Sequence, residues 1–167
     1  GNGFPASTYR SFTNDLNRRG FQVASIEKFG HDARYPVTSN WPFLVQELAD
    51  FAKLIHYETG EKPFLIGHSL GGLLSLMCAS RHPHLTAGVV LLDSPVVGGW
   101  KASALQLAKK TNWIGSVSPG RISKSRRQHW PHIEAVIEHF QHKRAFAHWH
   151  PDTLRDYAEF GTVEENG

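Results

Sequence analysis

The stretch "FLIGHSLGGLLSLMCAS", residues 64–80, sets one hydroxyl, Ser69, between an apolar run and a helical pattern, with glycines at 67, 71 and 72. A strand that runs straight into a helix forces its corner residue into backbone angles at which neighbouring side chains collide. Gly67 and Gly71, two places before and after the corner, relieve those collisions and leave the Ser69 hydroxyl exposed at the helix N-terminus. Such a hydroxyl suits attack on an acyl carbon, because the helix dipole behind it favours the negative charge that develops there. Two places could supply backbone N–H donors to that charge. One is Leu70, directly after the serine, and the other is the opening "GNGFPASTYR", whose glycines permit a turn against a ligand. His68 lies in the same turn, but adjacent residues there point apart. It therefore reads as a packing or hydrogen-bonding residue over the oxyanion region and not as the general base.

The elements that must position this serine follow from the pattern on either side. "STYRSFTNDLNRRG" carries Tyr9, Phe12 and Leu16 at helical spacing and stops at Gly20. "FQVASIEKFG" predicts a short strand with Phe21, Val23 and Ile26 as its apolar positions. From about Asn40, residues Phe43, Leu44, Leu48, Phe51, Leu54 and Ile55 keep to one helical face until "HYETGEKP" closes it. A strand is expected at 63–67, then a helix from Ser69 to about Arg81 with Leu73, Leu74, Leu76 and Met77 in the core. "LTAGVVLLDSP" reads as a strand covered on both faces. This order is that of parallel α/β layering with crossover helices, a three-layer α/β/α arrangement. After Pro95 the chain turns glycine-, serine- and lysine-rich, and "IEAVIEHF" then places Ile133, Val136, Ile137 and Phe140 on one helical face. The expected division is residues 1–95 as a sheet-containing core and residues 96–167 as a helical segment.

Composition narrows the class. The 167 residues are 40% hydrophobic and carry a net charge of +3, ordinary for one globular domain, with the bases dispersed among 15 acids. The single cysteine, Cys78, excludes an intramolecular disulfide and a thiolate metal cluster, and it suits a reducing, cytoplasmic setting. No apolar run reaches membrane-spanning length. Met77 is the only methionine, so Gly1 is not a translation start, and the chain is expected to be processed or part of a longer protein.

Taken together, these residues resemble the cap-bearing α/β-hydrolase superfamily. "GNGFPASTYR" is similar to the segment after the third strand, "FLIGHSLGG" to the nucleophile elbow, "GVVLLDSP" to the next strand, and residues from about 96 onward to an inserted cap. The resemblance implies a partial α/β-hydrolase core plus helical cap. It implies Ser69 as nucleophile, with the N–H groups of Asn2 and Leu70 as oxyanion hole. Members order the triad as serine, acid, histidine, with the histidine in a loop after the last strand, so the triad is expected to be incomplete in this chain. Asp93 occupies a carboxylate position that some members use for the acid. Others place the acid one strand later, and Asp93 then bonds the following turn. Members also carry a strand between the segment at 21–28 and the strand at 63–66, which this chain does not supply. The implied reaction is hydrolysis of an ester with an apolar acyl or alcohol part, without cofactor. The alternative is a hydrolase-like binding domain that does no catalysis. Serine at the elbow, in place of aspartate, speaks against displacement at saturated carbon.

Phe4, Trp100, Trp113, Trp130, Phe146 and Trp149 are candidates to line the substrate pocket, or else to form the cap's own core. Six histidines fall between 129 and 150. His132 and His139 share a face but stand about 10 Å apart, too far for one ion. His139 and His142 could grip one, but no third ligand stands out, so no metal is expected. Arg121, Lys124, Arg126 and Arg127 precede Trp130, yet the aromatics do not interleave with the charges. A cap loop is expected there and not a nucleic-acid interface.

Overall fold

The computed structural model describes residue 1, residues 3–94, residue 127 and residues 129–165. After a 3-10 turn at Ala6–Tyr9 come α1 (Arg10–Arg18), α2 (Pro42–Thr59), β1 (Phe64–His68), α3 (Leu70–Arg81) and β2 (Gly88–Leu92), then α4 (Ile133–Gln141) and α5 (Pro151–Gly161). Residues Gly1–Ser94 and His132–Gly167 form one compact unit, and Pro95–Pro131 form a second.

Strands β1 and β2 pair in parallel, Phe64 opposite Gly88 through His68 opposite Leu92, and α3 makes the crossover between them. This βαβ unit is the α/β layering expected from the sequence, and its register brings the C-terminal ends of both strands together beside Ser69 and Asp93. Helix α2 starts with Pro42 in its first turn, where a missing N–H costs nothing, and ends at Gly60 with φ 76°. The core gathers Leu44, Val45, Ala49 and Ala52 of α2, Leu65 of β1, Leu74 and Cys78 of α3, and Leu85.

Four expectations need correction. Residues 21–28 form no strand, because a strand exists only through a ladder. Their backbone bonds are Phe21 N–H to the Leu16 carbonyl at 3.1 Å and the Glu27 carbonyl accepting from Ala6 N–H at 2.8 Å. Strand β2 is not covered on both faces. Val90 and Leu91 are 42% and 37% exposed, since the described sheet has two strands. The buried face of α2 is also narrower than the periodicity implies. Phe43 and Leu54 are exposed, and the small residues Ala49 and Ala52 are the ones against the core, where they let α2 and α3 approach. On α3, Leu74 is buried and Met77 packs on the core, whereas Leu76 faces outward.

Candidate active site

Ser69 is the residue between β1 and α3, and it stands at φ 54°, ψ −118°. Few residues without glycine's freedom occupy that region, and holding one there costs on the order of 1–3 kcal/mol. The surroundings impose it. Ser69 N–H donates to the Leu92 carbonyl of β2 at 3.0 Å, and the Ser69 carbonyl accepts from Gly72 and Leu73 at 3.1 and 3.3 Å. The serine backbone is thus pinned to the sheet on one side and to the first turn of α3 on the other.

The glycines are needed for close approach, though not in the pairing expected from the motif. A Cβ on Gly67 would lie 2.2 Å from the Gly71 carbonyl carbon and 2.3 Å from its oxygen. One on Gly72 would meet Ser94 Oγ at 1.8 Å and the Gly67 carbonyl at 2.8 Å. A Cβ on Gly71 would meet nothing within 4 Å. The collision that forbids a side chain at 67 is with the backbone of 71, so Gly67 and Gly72 carry the steric demand and Gly71 does not.

The Ser69 side chain is half-buried and caps no helix N–H. Behind it Leu70 begins α3, so its N–H belongs to the unpaired first turn at the positive end of the helix dipole. The arrangement can present a nucleophilic oxygen and an anion-stabilising donor on one edge of the sheet. Asn2, the other implied oxyanion donor, lies outside the described residues, as do Trp100, Trp113, Arg121, Lys124 and Arg126.

His68, the last residue of β1, accepts from or donates to Tyr9 Oη through its Nδ1 at 2.7 Å, with the two rings edge to face. Gly1 N also donates to Tyr9 Oη. Burial first, and then the positive Gly1 amino group, hold the imidazole pKa below its ordinary 6.5, opposed by the Asp93 carboxylate. Asp93 follows β2 directly and is exposed, at φ 46°. Tyr9 is the neighbour that sequence reasoning missed. It counted toward an apolar helical face, and only its polar tip hinted at a partner.

Of the aromatic candidates, Phe4, Phe146 and Trp149 come together through Tyr157 of α5. The ring centroids lie 5.5, 5.3 and 5.6 Å from that of Tyr157, and Phe140 completes the group at 5.1 Å. Phe4 and Trp149 keep 38% and 41% of their surface exposed. Trp130 sits under the Arg127 guanidinium, 5.7 Å from its ring centre. Two of the histidines have structural work: His132 and His150 accept N–H bonds at the starts of α4 and α5, each at 3.3 Å. Among the described residues no three His, Cys, Asp or Glu side chains group as metal ligands, and no helix is long and apolar enough to cross a membrane. A cavity of about 190 Å³ opens between Arg10, Ser25, Glu27 and Phe160, and no elbow residue lines it.

Comparison with known proteins agrees with this layout. Residues 1–151 match the family described as serine aminopeptidase, S33. The monoglyceride lipase of Rattus norvegicus is 29% identical over 133 residues, covering 75% of this chain and 44% of that protein. The monoglyceride lipase of Mus musculus is 27% identical over 133 residues, with the same coverage of 75% and 44%. The chain spans under half the length of these curated relatives. No solved structure matches it significantly. With a match over nearly its whole length and a parallel βαβ unit around a strained serine, the chain belongs to the serine aminopeptidase S33 family of the α/β-hydrolases.

Proposed function

We propose that the chain carries the nucleophile half of an ester hydrolase, in which Ser69 Oγ attacks the acyl carbon of an ester with an apolar acyl or alcohol part. The observation that supports this most is the serine backbone at φ 54°, ψ −118°, a costly geometry that a plain strand-to-helix connection does not need. As the Oγ–carbon bond forms, the hydroxyl proton passes to a base and the carbonyl oxygen becomes an oxyanion. Leu70 N–H, joined by the Asn2 N–H, donates to it. Collapse expels the alcohol, which takes up the proton, and water then hydrolyses the acyl-serine. Phe4, Phe146 and Trp149 offer an apolar wall on the side of the opening loop, with Trp100, Trp113 and Trp130 as further candidates. Asp93 is the candidate acid at the adjacent strand end. The monoglyceride lipase relatives support an ester as substrate over an amide. Residues 96–167 are assigned to the lid, and no nucleic acid takes part.

The alternative is binding without turnover. A fluorophosphonate probe separates the two, applied to the 167-residue chain and to the whole protein that carries it. The whole protein is expected to label and to hydrolyse a monoacylglycerol, with Ser69→Ala abolishing labelling and lowering kcat on the order of 10⁴-fold or more. Normal labelling and hydrolysis by Ser69→Ala would overturn the assignment, and no reaction in any form favours the binding reading.

A further inference from the structure

We infer that Tyr9 is a positioning residue that fixes His68 in its Nε2–H tautomer, with the ring's basic lone pair on Nδ1 engaged by the tyrosine hydroxyl. The inference rests on a count of donors and acceptors. Tyr9 Oη has two partners, Gly1 N and His68 Nδ1. As an ammonium or as a peptide N–H, Gly1 N can only donate, so Oη accepts from it. The phenol then has one proton to place. Among the described residues His68 Nδ1, at 2.7 Å, is the acceptor within reach. An imidazole nitrogen that accepts carries no hydrogen, so the proton of the neutral ring sits on Nε2.

The consequence for the reaction rests on the hydrolase reading proposed above. A histidine directly before the nucleophile is the nearest imidazole in sequence, and Tyr9 takes away the lone pair with which it would act as base. The base that receives the Ser69 proton must then come from elsewhere. The charged groups acting on His68 are the Gly1 amino group and the Asp93 carboxylate, and burial disfavours its cation. None of these places a proton on Nδ1.

The test is histidine-selective ¹⁵N NMR on the 167-residue chain near neutral pH, with the His68 signal assigned from its loss in His68→Gln. The expected result is an unprotonated Nδ1 and a protonated Nε2. In Tyr9→Phe, with the other histidine signals unmoved, the tautomers are expected to mix and the protonation midpoint of His68 to rise, because a hydrogen bond to the neutral ring is gone. A protonated Nδ1 in the unaltered chain overturns the inference, as does a Tyr9→Phe spectrum in which neither tautomer ratio nor midpoint changes. If Tyr9→Phe fails to fold, the unaltered spectrum decides. The readout needs no turnover, so failure here is distinct from failure of the hydrolase reading, which the fluorophosphonate experiment addresses.

Discussion

At the scale of single residues, the strand-to-helix corner makes opposite demands on neighbouring positions. Gly67→Ala drives a methyl to 2.2 Å from rigid backbone at Gly71 and is expected to destabilise the chain by about 3 kcal/mol or more. Gly71→Ala puts its methyl into open space on a helix and is expected to be neutral or to stabilise by up to about 1 kcal/mol. Urea unfolding of the two variants checks this, and equal losses would mean that the corner is not built as described. The strain at Ser69 predicts a further contrast. Ser69→Gly should be more stable than Ser69→Ala by about 1 kcal/mol, because glycine relaxes at φ 54° and alanine does not. Glu47 supplies the pH dependence. Its carboxyl is buried on α2 with a weak bond at 3.5 Å from Gly30 N–H, and burial raises its pKa above the ordinary 4.5. The folded carboxyl keeps its proton to higher pH than the unfolded one. Its contribution is therefore whole below 4.5 and is lost as pH rises through the raised value. Glu47→Gln should raise the Tm at neutral pH and lose that advantage below 4.5, and a pH-independent difference would exclude the linkage.

At the scale of elements, α1 and α5 are joined by a carboxylate far from either in sequence. Asp156 of α5 is 2% exposed, accepts from Ser11 N–H at 2.7 Å and from the Ser11 hydroxyl, and so caps the start of α1. Arg10 adds bonds to Asp156 and Glu159 and lies over Phe160, but its exposure leaves that share screened by water. Asp156→Ala should cost about 2 kcal/mol, chiefly from the lost cap on the half-buried Ser11 donors, with Asp156→Asn recovering part of it. If Arg10→Met costs more than Asp156→Ala, the ion pair and not the cap holds the helices. This joint also shows where sequence reading ends. These helices were legible because each is declared locally: Pro42 and Gly60 bracket α2, and apolar spacing marks α3 and α4. The Asp156 cap and the Tyr9–His68 bond join residues 145 and 59 positions apart, and no local pattern encodes them. Residues 21–28 mislead for the converse reason. Phe21, Val23 and Ile26 have the strand pattern, but pairing depends on a neighbour that local spacing cannot supply.

At the scale of the whole molecule, the described sheet is two strands wide, and parallel strands are normally covered on both faces. Here Phe64 is 64% exposed, Ile66 44% and Val90 42%, while Phe21 at 61% has the spacing of a strand without its ladder. Unpaired strand edges beside exposed aromatic and β-branched side chains are templates for association, and so small a covered core leaves little stability to oppose it. The 167-residue chain is therefore expected to bind the apolar dye ANS and to elute above its monomer mass of 18.7 kDa at micromolar concentration. Introducing a charge on the open face, Ile66→Lys, should shift elution toward the monomer without lowering the unfolding midpoint much, since that side chain is already 44% exposed. A dye-free monomer would mean that these apolar faces are covered after all.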